Sequence, residues 1–393
     1  MLTKKGNVLN IKGKYGVMLK SSYMAVSLWF FLLSIKLMGD VFKHFFSADV
    51  PGMVEMATSN PVVSLFIGIL TTAVIQSSSS TTSIIVAFVG AGTLSFGNAI
   101  PMIMGANIGT SVTGIIVAFG QVRNRLEFHR SFAAAIVHDF FNLFAVLVFL
   151  PIELSTGIIA KSAKFFTEMF VGTSGVKFNS PLDDIVKPAS GFIENSVAGM
   201  FGYSPEAHEV MGKISYYPSY DGFLLTIMLI IALGMLFMSL NSMSRIMKKL
   251  LIGKFERIIH KYVFSNVLTS FIFGLLFTVS VQSSSITISL VVPLAGAGIL
   301  SLKQIFPYTV GANIGTTVTG ILASLVTGNP SAISIAFVHT LFNLYGACIL
   351  VPFRSVPVGL AKWFSLKVRD NRLWALAFLL VFFFILPGIF IFF

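Results

Sequence analysis

Gln76-Ser77-Ser78-Ser79-Ser80, followed by Gly105-Ala106-Asn107-Ile108-Gly109-Thr110-Ser111-Val112-Thr113-Gly114, is a text that this chain contains twice. The second copy reads Gln282-Ser283-Ser284-Ser285 and then Gly311-Ala312-Asn313-Ile314-Gly315-Thr316-Thr317-Val318-Thr319-Gly320. A constant 206 residues separate Gln76 from Gln282 and Asn107 from Asn313, and nine of ten positions agree between 105–114 and 311–320. Between Asn60 and Val122 there is no Asp, Glu, Lys, Arg or His. Polar, glycine-broken text in so apolar a setting has to serve a purpose.

The wider chain supplies that setting. Its 393 residues are 55% hydrophobic and 11% charged, against roughly 25% charged in a soluble protein. Several apolar runs reach the about 20 residues that a helix needs to cross a bilayer. The chain is therefore expected to be an all-α polytopic membrane protein. The net charge of +12 does not point to nucleic acid, because the basic residues cluster in short loops between apolar runs. No cleavable signal peptide is expected, since a full-length span follows the basic N-terminus. The single cysteine, Cys348, allows no internal disulfide.

Around the first copy, 61–75 is apolar but too short to cross alone, and a second short apolar piece, 84–91, ends at Gly90-Ala91-Gly92. Two short arms about a polar tip predict a re-entrant hairpin, tolerated only if buried in protein or facing a wet cavity. Residues 98–120 read as a span interrupted at Gly105-Ala106-Asn107-Ile108-Gly109, since glycines with an asparagine can unwind a helix in mid-membrane. Residues 262–300 and 303–326 repeat both patterns. Val137-His138-Asp139-Phe140-Phe141-Asn142 is echoed by Val338-His339-Thr340-Leu341-Phe342-Asn343.

Loop charges orient the copies. Lys4, Lys5, Lys12, Lys14 and Lys20 place the N-terminus in the cytoplasm, and Asp49 and Glu55 mark 43–59 as outside. Arg123, Arg125 and Arg130 against Glu127 place 121–130 inside; the acidic 172–221 is outside. The basic 245–261 is inside, as are Arg354, Lys362, Lys367, Arg369 and Arg372, and a last span, 373–393, leaves the C-terminus outside. Repeat one is thus entered and left through outer loops and repeat two through inner ones. The expectation is two inverted-topology repeats, each with a re-entrant hairpin and an interrupted transmembrane helix, a mark of secondary transporters. The resulting divisions are 1–59, 60–152 (repeat one), 153–261, with an amphipathic stretch near 152–171, 262–353 (repeat two) and 354–393. Lys36 and Asp40, one turn apart, read as an interfacial pair.

The repeated residues carry chemistry. At a hairpin tip the returning helix offers free backbone N–H groups and the positive end of its dipole. With Gln76, Ser77, Ser78, Ser79, Gln282, Ser283, Ser284 and Ser285 this makes an anion site without a formal cation. Asn107, Thr110, Asn313, Thr316 and Thr319 supply neutral oxygens suited to a hard monovalent cation such as Na+. Bound cations would lower the cost of desolvating an anion, so each ligand would favour the other. Asp139 is an intramembrane acid, hence a functional candidate; pairing with His138 is the structural alternative. Walker A, metal-triad and nucleophile-elbow patterns are missing, so an enzyme is not expected.

At these residues the chain resembles the type II sodium–phosphate cotransporter family, most closely its compact bacterial members. Gln76-Ser77-Ser78-Ser79, Gln282-Ser283-Ser284-Ser285, both Gly-Ala-Asn-Ile-Gly-Thr segments and Val137-His138-Asp139 carry the resemblance. It implies inward symport of inorganic phosphate with Na+, multi-pass in the plasma membrane (the bacterial inner membrane), with phosphate contacts at the tips. For sodium it points to Gln121, Asn142, Thr316 and Thr319. An Asp at the place of Asp139 accompanies electrogenic transport. No cofactor is implied beyond the co-transported Na+; the partners are phosphate, Na+ and the lipid bilayer, with a homo-oligomer allowed. Animal members have a larger, disulfide-bearing outer loop and extend past the last span, some bacterial relatives add a soluble domain, and Ala312 stands where some relatives have Ser. From the residues alone, a symporter for another oxyanion or a dicarboxylate, or a Ser-lined anion channel, stays open.

Overall fold

The computed structural model describes residues 14–45, 58–172, 181–203, 205–210, 213–218, 222–258 and 263–393, with backbone only for 14–17, 45, 205–210, 213–218 and 247–258. Among them, seven apolar helical lengths can cross a membrane. The first is α1 (Lys14–Phe45). A short pair follows, α2 (Pro61–Ile75) and α3 (Ser78–Ala91). Asn60 starts α2 by accepting the Val62 N–H, with Pro61 pre-set for the first turn. Then α4 (Phe96–Gly109) and α5 (Val112–Phe119) form one interrupted length, and α6 (Arg125–Thr156) returns.

Next come α7 (Ile158–Val171), α8 (Pro181–Met200), the antiparallel strands β1 (Pro205–Val210) and β2 (Lys213–Pro218), and α9 (Gly222–Ile258). The earlier order then recurs as α10 (Val267–Val281), α11 (Ser284–Gly296), α12 (Leu302–Gly315), α13 (Thr317–Val326) and α14 (Pro330–Leu350). Finally α15 (Ser355–Asp370) leads to α16 (Leu373–Leu380), a π-helical turn at 381–385 and α17 (Leu386–Phe392). The membrane part is all-helical; the hairpin β1–β2 is a local addition in the connecting segment.

Glycine lets α2 and α4 run side by side in backbone contact. A Cβ on Gly68 would strike the Met102 carbonyl, one on Gly105 the Leu65 carbonyl, and one on Gly109 the Ile69 carbonyl. The second copy repeats this 206 residues later: Gly274 against the Tyr308 carbonyl, Gly311 against that of Phe271, Gly315 against that of Leu275. Gly105 and Gly109, like Gly311 and Gly315, are thus small-xxx-small pairs that admit a neighbouring helix. This corrects the expected interruption. Gly105-Ala106-Asn107-Ile108-Gly109 stays helical, and the chain breaks just after it, at Thr110-Ser111 and at Thr316. The break is a tightened turn rather than a free loop: Ser111 N–H reaches the Ile108 carbonyl (3.4 Å), and Thr316 N–H those of Ala312 and Asn313 (3.3 Å each).

The two copies also swap partners. The returning arm α3 packs on α13 and α14, and α11 packs on α5 and α6. At one end of the molecule Asn329 Nδ2 donates to the Gly90 carbonyl (3.0 Å), and Lys36 bridges Asp40 (3.3 Å) and Asp183 (3.1 Å). The interfacial pair Lys36–Asp40 is therefore a triad with α8. Elsewhere, Arg372 donates to the Arg123 carbonyl (3.2 Å) and His129 Nδ1 to that of Ser365 (3.0 Å), which joins the basic 121–130 and 354–372 segments.

Two expected loops are helical. The 354–372 segment contains α15 (Ser355–Asp370), whose Phe364 meets Phe132 of α6, and the acidic segment contains α8, which buries Val186, Ser190, Val197 and Ala198. The amphipathic stretch near 152–171 is α7, with Phe165, Phe166, Met169 and Phe170 exposed as a lipid-facing helix would have them. Several charges used for orientation lie outside the described residues or their side chains: Lys4, Lys5, Lys12, Lys14, Asp49, Glu55, Lys177, Glu206, Glu209, Lys213, Asp221, Lys248, Lys249, Lys254, Glu256, Arg257 and Lys261.

Candidate functional site

Each tip is set by one left-handed glutamine. Gln76 (φ 59) ends α2 and Gln282 (φ 57) ends α10; among the described residues these are the only non-glycine positions with positive φ. The reversal lets the next residue cap the returning helix. Ser77 Oγ accepts the Ser80 N–H (3.2 Å), and Ser283 Oγ accepts that of Ile286 (3.3 Å). A third hydroxyl on each arm, Thr81 or Thr287, donates back to the serine carbonyl (3.1 and 3.0 Å). The capping oxygen takes one N–H of the first turn and leaves others of that turn without a partner in their own helix. Ser78, Ser79 and Ser284 are buried there, and Ser77, Ser283 and Ser285 half-buried.

The tips meet. Ser285 Oγ of the second donates to the Gln76 carbonyl of the first (3.4 Å), which Thr113 Oγ1 also reaches (3.4 Å). Across the repeat, Thr319 Oγ1 donates to Gln282 Oε1 (2.5 Å), while Gln282 Nε2 donates to the Val279 carbonyl (2.6 Å). The copies thus differ at one point: Gln282 is buried and locked, whereas the Gln76 amide is exposed, with no hydrogen bond among the described residues. A left-handed non-glycine residue costs about 1–2 kcal/mol. Gln76→Gly is therefore expected to raise the thermal unfolding midpoint in detergent. Gln282→Gly gains the same relief but leaves the buried Thr319 hydroxyl without an acceptor, worth about 1–3 kcal/mol, and also loses the bond to the Val279 carbonyl and the burial of the side chain, so it should lower the midpoint. Shifts of one sign in both variants would contradict this.

Behind the tips lies a buried amide cluster that no single segment announces. Asn313 Nδ2 donates to Asn142 Oδ1 (2.8 Å) and to Asn343 Oδ1 (2.5 Å). Asn142 Nδ2 donates to the Asn107 carbonyl (2.9 Å), and Asn343 Nδ2 to Asn107 Oδ1 (3.1 Å). His339 Nε2 donates to that same oxygen (3.1 Å), and His138 Nδ1 meets Ser111 Oγ (3.0 Å). All four asparagines and both histidines are buried. Such a network is stable only when its members are satisfied. Here Asn313 Oδ1 and His339 Nδ1 have no partner among the described residues, so an oxygen and a ring nitrogen are left over as acceptors.

The expected cation residues fall into four groups. Asn107, Asn142 and Asn313 are joined in the cluster. Thr110 and Thr316 stand at the breaks and Thr319 in the first turn of α13; Thr110 Oγ1 bonds the Ala106 carbonyl (3.1 Å) and Thr316 Oγ1 that of Asn313 (2.6 Å). Gln121 is elsewhere: its Oε1 accepts from Ser131 Oγ, beside Gly296. Asp139 is 2% exposed, and neither carboxylate oxygen has a hydrogen-bond partner among the described residues, so the alternative pairing with His138 is not made. Asn343, His339, Ser111 and Thr113 were not among the expected site residues. The echo of His138–Asn142 in His339–Asn343 was the available signal. Among the described residues no His, Cys, Asp and Glu cluster could hold a metal.

A buried polar centre flanked by two helix-terminus tips, among helices long and apolar enough to cross a bilayer, belongs to a polytopic helical membrane protein. The sequence matches the family described as Na+/Pi-cotransporter over residues 30–174 and 231–364, and the chain belongs to that family. It is 32% identical over 407 residues to the sodium-dependent phosphate transport protein 2A of Rattus norvegicus, covering 90% of this chain and 62% of that protein. It is 31% identical over 440 residues to the 2B protein of Homo sapiens, covering 92% and 63%. The chain thus spans about three fifths of the length of these curated relatives. No solved structure matches it.

Proposed function

We propose that the chain is a Na+-coupled symporter that brings inorganic phosphate into the cell by alternating access. The observation that carries this reading is the contact of two like-built tips through Ser285 and Gln76. Each tip presents a serine-capped helix start to the other, so an oxyanion between them would meet backbone N–H groups and hydroxyls from both sides. Gln76, Ser77, Ser78, Ser79, Gln282, Ser283, Ser284 and Ser285 would form the phosphate site. Asn107, Thr110, Asn142, Asn313, Thr316 and Thr319, with Asp139, would supply sodium oxygens, and Gln121 a more remote one.

Inverted repeats fit this reading. Among the described residues, three candidate spans lie between Gln76 and Gln282, namely Phe96–Phe119, Arg125–Thr156 and Gly222–Ile246. An odd number of crossings puts equivalent points on opposite sides if α2–α3 and α10–α11 re-enter without crossing. The far end of the first hairpin, at Gly90, lies near Asn329, Thr327 and the Lys36 region, and that of the second, at Gly298, beside Arg130. That separation favours an outer and an inner entry, with the N-terminus cytoplasmic in the plasma membrane.

The test is labelled phosphate uptake into proteoliposomes under an imposed Na+ gradient, compared with a pH gradient and with sulfate as competitor. The expected result is uphill, saturable uptake that needs Na+ and resists sulfate. Uptake indifferent to Na+ would reject the reading.

A further inference from the structure

Away from the tips, a cavity of about 470 Å³ opens between the start of α6, the 297–301 turn, the first turn of α12 and the middle of α15. Among the described residues, the titratable side chains that line it are His129 and the three cations Arg130, Lys303 and Lys362, with no carboxylate. None of these three cations has an ion-pair partner among the described residues. Ala295, Leu300 and Val358 form an apolar wall. The basic rim is built as well as gathered. His129 is anchored on the Ser365 carbonyl, and Gly298 takes φ 76, where a Cβ would lie 2.7 Å from Nη1 of Arg130. The positive φ of that turn calls for glycine, and the Arg130 guanidinium lies against it.

Cations drawn from three separate segments into one concave space repel one another unless an anion joins them. Arg supplies a planar fork suited to phosphoryl oxygens, and Lys a mobile point charge. The volume lies within the range of small-molecule sites and leaves room for more than a phosphoryl group, with the apolar wall beside it. Next to Lys362, Trp363 is 56% exposed, as expected of an aromatic residue at the head-group level. Basic pockets between helices on the cytoplasmic side are suited to anionic lipid head groups.

We propose that this cavity binds a phosphate-bearing anion whose oxygens are held by Arg130, Lys303 and Lys362. That chemistry has two sources, the head group of an anionic phospholipid and free inorganic phosphate. The site is separate from the tips, and only its placement on the cytoplasmic side rests on the orientation proposed above.

The experiment uses the full chain in nanodiscs. In one arm, phosphatidylglycerol is titrated into a phosphatidylcholine background and bound lipid is read by native mass spectrometry. In the other, inorganic phosphate is titrated without Na+ in phosphatidylcholine alone and read by calorimetry. The variants are Arg130→Gln/Lys303→Gln/Lys362→Gln, the cavity filler Val358→Trp with its charges intact, and the surface control Arg123→Gln/Arg125→Gln/Lys367→Gln. Loss of the three pocket charges should weaken binding of the responsible probe on the order of a hundredfold at low ionic strength. The surface control should change it only a few-fold. Binding in the first arm identifies lipid, in the second free phosphate. The proposal is overturned if neither probe distinguishes wild type from the pocket variant, or if the surface control loses as much. The three substituted residues of the pocket variant are exposed, so the comparison stands even if Val358→Trp does not fold.

Discussion

Gly105→Ala is expected to destabilise the protein by about 1–3 kcal/mol, and Gly105→Ala/Gly311→Ala to leave little folded protein after extraction. In a helix, alanine is favoured over glycine by about 1 kcal/mol, so propensity alone predicts the opposite sign. The difference is the neighbour. The new Cβ would point at the Leu65 carbonyl, and in the second copy at that of Phe271. Both obstacles are backbone, so the helix pair must part along its length, loosening the break and the amide cluster that follow it. Gly97→Ala is the control on the same helix, because nothing lies within 4 Å of a Cβ there. Thermal unfolding of the purified variants in one detergent decides the matter; Gly105→Ala melting with Gly97→Ala would refute the packing role.

The second large effect concerns Asp139. A buried carboxylate with both oxygens unpartnered costs several kcal/mol unless a cation joins it or it takes up a proton. Under the symport reading that cation is Na+, and the carboxylate contributes one charge to the transported set. In Asp139→Gly, phosphate-evoked current should fall by about tenfold or more, the scale on which one lost ion-binding step is read. Phosphate uptake should fall far less. Voltage-clamped current and labelled uptake on the same preparation give the ratio. If both fell in step, Asp139 would have no special part in charge coupling.

Much of the fold was legible because two independent signals agree along the chain. The 206-residue repeat gave the pairing of Gln76 with Gln282, and it recurs in the glycine contacts of both copies. Apolar length gave the spans, because a helix in lipid must satisfy its own backbone. The connecting segments were read less well. At 172–221 and 354–372 the charge suggests a loop, whereas α8 and α15 are amphipathic helices whose apolar faces pack on the bundle. Of the candidate site, the two Gln-Ser-Ser-Ser helix starts were legible from the repeat, while the left-handed Gln76 and Gln282 before them came only from the structure. The amide cluster was not legible, because Asn107 and Asn343 are 236 residues apart in sequence.

The sequence by itself determined that this is a polytopic helical membrane protein with a doubled core, and it marked Gln76–Ser79 and Gln282–Ser285 as helix starts that lack any charge of their own. Local geometry and the avoidance of unpaired backbone in lipid suffice for that. Only the tertiary structure decided what the glycines and asparagines do. The text Gly-Ala-Asn-Ile-Gly could unwind a helix or admit a neighbour, and the choice rests on whether another backbone lies within reach of the missing Cβ. Here Leu65, Ile69, Phe271 and Leu275 do. The helices therefore stay wound as far as Gly109 and Gly315, and their asparagines meet at the centre.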